Sequence, residues 1–400
     1  MEVRPADRIL NMPRYVFDEI WDMKRKSRWK PEEVLDLGVG NPDRRPPEHI
    51  IDLLCENLRD GGRQLHRYST FDGLPEFREA VAAWYERRFG VELDPDSEVL
   101  PLVGSKEGIA HLMMAYLNPG DTVIIPTPCY PAYLGAARLL EPEIYEAPLL
   151  EENDFRPDLD SIPAEVLDRA KILFLNYPNN PTGALGDSEL LRRAVEIGRR
   201  HDLIVASDIA YSELWLDPDV PPPGSILQVE GARDVAVEFH SFSKTYNMAG
   251  WRIGMLSGNP EVVSRVLRVK SNIDFSVFMA LQRTAAQVLG GPQEFLEETR
   301  ALYRSRRDAV VDGFEKLGWK LRRPRATMYV WDRIPEGHAT SFDFIRDLFE
   351  RTGILLSPGN GFGRPGEGYA RISLVAEVED LERGFERAAA AGYRFDAVRS

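Results

Sequence analysis

The sequence predicts an α/β protein: a large domain built on a mainly parallel sheet flanked by helices, plus a smaller α+β domain. Three observations carry that prediction. Between about residues 98 and 257, short apolar runs alternate with helical stretches, as in successive strand–helix–strand units. Five of those runs end in polar residues, and ligands of open parallel sheets bind at that edge. From Trp319 onward the style changes to strand pairs with separate helices. Four hundred residues exceed one typical core, so two domains sharing a site are expected. The expected division is an N-terminal segment, 1–45, packing with the small domain, a large ligand-binding domain, 46–290, and a small C-terminal domain, 291–400.

Taken in order, the chain opens with an amphipathic stretch around Tyr15 to Met23. Leu35 to Asp43 reads as a short strand closing in a turn, where Gly38 and Gly40 let the backbone approach a ligand. Pro47 to Arg59 reads as a helix, and His66 to Pro75 as a loop before a helix that runs through Tyr85 to Phe89. Val99 to Val103 is a strand that feeds Gly104-Ser105-Lys106-Glu107-Gly108 and opens a helix. Free amides and the helix dipole make such a turn an anion site. Strands follow at Thr122–Pro126, Ile144–Pro148, Ile172–Asn176 and Leu203–Ser207. Asp217 to Gly224 is a proline-rich surface loop, and Val235 to His240 is a buried strand. Pro260 to Leu317 is helical, with interruptions at Asn272–Phe278 and Gly290-Gly-Pro292. The last strands are expected at Trp319–Arg322, Met328–Trp331, Ile354–Ser357 and Tyr369–Val375. Gly359-Asn-Gly-Phe-Gly363 opens no helix and reads as a flexible connection.

The polar strand tips fall at Gly104, Tyr130, Asn180, Asp208 and Lys244. A lysine at the mouth of a parallel sheet can condense with an aldehyde to form a Schiff base, the linkage through which pyridoxal phosphate works. Ser241 and Ser243 flank Lys244, and Arg252 follows eight residues on, giving two hydroxyls and a guanidinium for a phosphate dianion. Each tip has a plainer reading alone: a surface lysine, a helix cap, a turn asparagine, a core tyrosine, a capping aspartate. Five coincidences at one sheet edge are harder to accept than one site.

The motifs Asn-Asn-Pro-Thr-Gly (179–183), Asp-x-x-Tyr (208–211), Ser-x-Ser-Lys with arginine eight later (241–252) and Tyr-x-Arg-Ile-Ser (369–373) together resemble the class I/II aminotransferases, fold-type I pyridoxal phosphate enzymes. Within that family the stretches Gly-Ser-Lys-Glu-Gly-Ile-Ala-His and His-Ser-Phe-Ser-Lys-Thr-Tyr-Asn-Met most resemble the LL-diaminopimelate aminotransferases, with bacterial alanine aminotransferases as near neighbours. The resemblance implies a transamination of ping-pong form, from an LL-diaminopimelate-like donor to a 2-oxo acid such as 2-oxoglutarate. It implies that Lys244 binds the cofactor and then shuttles a proton, while Asp208 pairs with the pyridinium nitrogen. Tyr211 and Asn180 would hydrogen-bond the ring's phenolic oxygen, and Tyr130 would stack on the ring. Ser241, Ser243, Arg252 and the amides of Ser105 and Lys106 would hold the phosphate. Arg371, Gly40, Asn180 and Tyr15 would meet the substrate. Tyr68 would reach the phosphate from a second subunit, making a homodimer the working unit.

Two departures bear on the substrate. Where the diaminopimelate group continues Asn-Ile-Asp with two small residues, this chain has Phe275-Ser276. That segment is expected to face the neighbouring subunit's substrate pocket, which a bulky Phe275 shortens. The loop Tyr68-Ser-Thr-Phe71 also differs from the group's usual Tyr-Pro-Ser-Tyr. No arginine lies in 272–278, where aspartate aminotransferases carry one. Alanine or another small amino acid is the alternative donor, and a C–S lyase or decarboxylase on the same scaffold is a rival chemistry.

Composition narrows the remaining classes. A net charge of −14 argues against nucleic-acid binding, and 43% hydrophobic with 28% charged residues is ordinary for a soluble protein. No apolar run approaches spanning length, and the charged start lacks the core of a signal peptide, so a cytoplasmic protein is expected. Two cysteines are too few for a disulfide framework, and no metal-ligand spacing is present. Nor does the chain spare residues or a basic patch for a DNA-binding regulator.

Overall fold

Strand residues of alternating parity face opposite sides of a sheet, and here both sides are apolar, as a sheet covered by helices requires. A computed structural model describes residues 3–14, 16–60 and 62–395. Its strands are β1 (Leu35–Asp36), β2 (Val99–Leu102), β3 (Thr122–Thr127), β4 (Glu143–Pro148), β5 (Ala170–Asn176), β6 (Ile204–Asp208), β7 (Ala236–Ser241), β8 (Gly254–Gly258), β9 (Tyr329–Arg333), β10 (Ile354–Leu355), β11 (Ser357–Pro358) and β12 (Tyr369–Ser373). Among the described residues, β2 to β8 form one sheet in the order β2-β8-β7-β6-β5-β3-β4. All its neighbours run parallel except β8, which is antiparallel to both β2 and β7. Val123, Ile125, Ile172 and Phe174 meet the helices Ser105–Tyr116, Pro131–Leu140 and Pro260–Ile273 on one face. Ile124, Leu173 and Leu175 meet Pro75–Phe89, Ser188–His201 and Met279–Gly290 on the other.

The reversal into β8 explains the spacing between Lys244 and Arg252. The chain leaves β7 at the carboxyl edge, makes two short turns, and re-enters as β8, so Ser241 pairs with Gly254. Both residues therefore stay at the one edge where β2, β3, β5 and β6 also end.

A second sheet, β11-β12-β9, is antiparallel and sets Arg371 between Ser357 and Trp331. β1 pairs in parallel with β10, joining Leu35 to Ile354. Leu35 and Leu37 share an apolar cluster with Val310, Phe314, Phe344, Ile354 and Ile372, and Tyr211 and Leu214 join it from the large-sheet side. Among the described residues no helix is long and apolar enough to cross a membrane.

Three expectations are corrected. Trp319 to Arg322 forms no strand among the described residues; the Arg322 backbone amide donates instead to the Asp332 side chain at 2.6 Å. The run Ile354–Ser357 divides between two sheets, β10 beside β1 and β11 beside β12. The segment 359–363 is packed rather than loose. Phe362 is fully buried, its carbonyl accepts the Cys129 amide at 2.8 Å, and a Cβ on Gly359 would stand 2.0 Å from the Gly366 carbonyl.

Candidate active site

The carboxyl edge of the large sheet and the inner edge of β12 enclose a cavity of about 300 Å³. Ser105, Lys106, Tyr130, Asn180, Asp208, Tyr211, Ser241, Ser243, Lys244, Arg252, Arg371 and Gly40 all line it. Tyr68 does not: it is 86% exposed and packs at a tilt on Phe275 instead, with ring centres 4.9 Å apart. Tyr15 lies outside the described residues. The sequence reading missed Asn176, Tyr329, Val39 and Trp21, which also line the cavity. Tyr329 was hidden because Met328–Trp331 reads as plain core strand, and Asn176 because it reads as the last residue of an apolar strand.

One end of the cavity is built for an anion. The helix Ser105–Tyr116 presents its N-terminus there, beside the Ser241 and Ser243 hydroxyls and the Arg252 guanidinium. Gly104 is required in this turn. Its φ is +77°, and a Cβ would lie 2.4 Å from an Arg252 terminal nitrogen. Arg252 itself has φ +57°, and one of its terminal nitrogens donates to the Ala249 carbonyl at 2.9 Å.

At the floor, Asp208 is 3% exposed. The Tyr133 hydroxyl donates to its Oδ2 at 2.7 Å, and the Ala210 amide to its Oδ1 at 3.2 Å. Burial outweighs these bonds and pushes the carboxyl up to about 6. The residues β5 and β6 contribute are locked to each other, since the Asn176 amide donates to the Asp208 carbonyl at 2.8 Å. The Asn176 Oδ1 in turn accepts the Asn180 backbone amide at 2.9 Å.

Lys244 stands at the mouth, its Nζ donating to the Gly40 carbonyl at 2.7 Å. Desolvation lowers its pKa; Tyr329 opposes that shift, while Arg371 and Arg252 reinforce it. Tyr211 and Tyr329 share a hydroxyl–hydroxyl bond of 2.9 Å. Burial alone would raise Tyr329, yet the Lys244 ammonium, Arg371 and the bond to Tyr211 bring it below its ordinary value. Opposite them, Arg371 is held flat. One terminal nitrogen donates to Asn180 Oδ1 at 2.9 Å and the other to the Gly38 carbonyl at 3.0 Å. Tyr329 and Phe362 flank the guanidinium at 4.2 and 4.5 Å.

This donor set fits pyridoxal phosphate. The anion cradle suits the phosphate, the half-buried amine of low basicity suits the aldehyde, and the buried Asp208 carboxyl offers a seat for a ring N–H cation. Gly40 permits the close approach of Tyr329, since a Cβ there would meet its hydroxyl at 2.3 Å.

Residues 32–387 match the family model described as aminotransferase class I and II. The chain is 47% identical to an LL-diaminopimelate aminotransferase of Nitratidesulfovibrio vulgaris strain Hildenborough, over 96% of this chain and 98% of that one. It is 45% identical to one of Moorella thermoacetica, covering 96% and 97%. Among solved structures it superposes on substrate-bound BacF from Bacillus subtilis with a TM-score of 0.94, at 37% identity and full coverage of both chains. With edge, cradle, lysine and matched length in agreement, the chain belongs to the class I and II aminotransferases and is a pyridoxal phosphate-dependent transaminase.

Proposed function

We propose that this transaminase takes LL-diaminopimelate or a related basic or neutral amino acid as donor and passes the nitrogen to 2-oxoglutarate by a ping-pong scheme. The observation that carries the donor is the near-full-length identity, 43–47%, to relatives bearing the LL-diaminopimelate aminotransferase name. A panel of donors with 2-oxoglutarate tests it: LL-diaminopimelate should give the highest kcat/KM, and a preference for alanine would replace the assignment.

In this reading pyridoxal phosphate, when bound, supplies the electron sink into which the donor's Cα–H bond can break. Everything else falls to the protein. Lys244 holds the cofactor through Nζ and afterwards moves the proton at the donor's Cα, a task that a desolvated amine of lowered basicity can perform near neutral pH. Asp208 holds the ring nitrogen's proton in place. Tyr211 and Asn180 orient the phenolic oxygen, and Tyr130 covers the ring face. Ser105, Lys106, Ser241, Ser243 and Arg252 hold the phosphate. Arg371 receives the α-carboxylate with both prongs, aided by Gly40, and Asn180 supports it from the other side. Tyr329 joins this set, since its hydroxyl reaches Tyr211 and its ring backs Arg371.

The working unit is a homodimer with shared sites. Tyr68 has no place in its own cavity, and it forms an outward aromatic cluster with Phe71 and Phe275 (4.4 Å between the latter two) beside the exposed Phe278. Such a cluster is suited to burial against a second copy, whose cavity Tyr68 would enter. Residues 46–290 are taken as the cofactor domain and 291–400 as the small domain, with 1–45 packing on the latter. The site then lies where the two meet.

A specific observation keeps a second donor class in play. Phe275 has φ +70° and packs on Phe71 and Tyr68, so bulk stands where the diaminopimelate group carries small residues. A short neutral donor such as alanine fits that arrangement.

A further inference from the structure

Behind the anion cradle, outside the cavity, lies a buried ionic cluster. Lys270, on the helix Pro260–Ile273, is 0% exposed. Its Nζ donates to Glu107 Oε1 at 3.1 Å and to Asp274 Oδ2 at 3.0 Å. His111 brings Nδ1 to 2.8 Å from the same Glu107 oxygen. The ligand atoms of Glu107, His111 and Asp274 lie within 4.8 Å of one another, and the Lys270 ammonium already supplies a cation to two of them.

Glu107 is the third residue of the helix Ser105–Tyr116, and its other oxygen accepts the Val103 amide at 2.9 Å. A carboxylate in a first turn favours the helix. Here it does so in the turn of Ser105 and Lys106, two residues that line the cavity. An unbalanced negative charge there would oppose a phosphate dianion held at that helix N-terminus. Burial works against ionising Glu107, but His111, Lys270 and Asp274 outweigh it and hold it below the usual carboxylate range, whereas burial and Glu107 raise Asp274. Lys270 thus offsets Glu107 from 3.1 Å, with the His111 ring at 2.8 Å from the same oxygen.

We propose that Lys270 is a positioning residue for the cofactor phosphate: its buried ammonium offsets Glu107, so that the Gly104–Lys106 turn can be braced by a carboxylate and still receive a dianion. The proposal rests on the assignment of that turn to the phosphate. Lys270 touches neither cofactor nor substrate; it acts through Glu107.

The test compares two probes on cofactor-stripped full-length protein, pyridoxal phosphate and pyridoxal, with dissociation constants read from the visible absorbance of the bound vitamer. Lys270→Met should weaken pyridoxal phosphate about tenfold or more, as expected when one buried charge is left uncompensated, and leave pyridoxal within about twofold. Lys270→Met with Glu107→Gln should restore the phosphate form to within about threefold of the native value. Equal weakening of both probes, or no recovery in the double variant, would overturn the proposal and leave Lys270 a fold-holding ion pair. Should Lys270→Met fail to fold, Glu107→Gln alone decides. It keeps an acceptor for the Val103 amide, and it should bind pyridoxal phosphate at least as tightly as the native protein; a tenfold loss contradicts the proposal. If the native protein shows no preference for the phosphorylated probe, the phosphate assignment itself fails and takes this proposal with it. A native preference with indifferent variants removes the proposal alone.

Discussion

Replacing Arg371 by lysine keeps the charge and removes the fork. The native guanidinium spans Asn180 Oδ1 and the Gly38 carbonyl, 2.9 and 3.0 Å from its two terminal nitrogens, and lies between Tyr329 and Phe362. A lysine ammonium is a point charge on a flexible stem; it can reach one of these partners but not bridge both, and it cannot lie flat between two rings. The substrate carboxylate then loses one of two parallel charge-assisted bonds, each worth about 1.5–3 kcal/mol. At about 1.4 kcal/mol per decade, substrate dissociation constants should rise about 10- to 150-fold. Donor and acceptor both carry the α-carboxylate, so rapid-mixing spectra of the two half-reactions should show similar increases. Thermal unfolding of the same variant gauges the cost of the unbridged Asn180 and Gly38 groups separately. A change of less than about threefold in either half-reaction, or a loss confined to one of them, would refute the role given to Arg371.

Other outcomes follow from the same geometry. Burial lifts Asp208 to about 6, against about 3.9 for a free aspartate, so the folded state holds this proton the more firmly. The stability it contributes is therefore present below pH 4 and lost as pH rises through 6, up to about 3 kcal/mol in the cofactor-free protein. Asp208→Asn should flatten that part of the pH–stability curve, and added cofactor should stabilise the native chain more at pH 7.5 than at pH 5; an unchanged curve would contradict the assignment. Gly104→Ala drives a Cβ into Arg252 at a backbone angle of +77°, so cofactor affinity should fall at least tenfold, as read by equilibrium dialysis. Phe275→Ala should raise kcat/KM for LL-diaminopimelate relative to alanine, and an unaltered ratio would show that this ring does not limit donor length.

How far the sequence disclosed this depends on what each residue had to do. The strand tips were legible because a buried apolar run followed at once by Asp208 or Lys244 makes little sense as core alone. The eight-position step from Lys244 to Arg252 was legible as a pair of phosphate-binding groups, but the antiparallel return into β8 that brings it about was not. Tyr329 stayed hidden: it belongs to a core cluster as well as to the cavity lining, so its pattern is that of any β-strand tyrosine. Asn176 was concealed in the same way by the apolar strand it ends. The expected strand at Trp319 failed for a different reason, since its backbone amide at Arg322 found a side-chain partner that no periodicity announces. The Lys270–Glu107–Asp274 cluster joins residues more than 160 positions apart, a proximity that only the packed helices reveal.

The central claim is that separate strand ends deliver one vitamin B6 aldehyde to the amine of Lys244. Borohydride treatment of the yellow holoenzyme followed by peptide mass analysis tests it most directly. The account predicts a pyridoxyl phosphate mass on the peptide carrying Lys244 and its disappearance in Lys244→Ala, which should still bind the cofactor noncovalently without turnover. A stable adduct on another lysine, or near-normal turnover by Lys244→Ala, would contradict it.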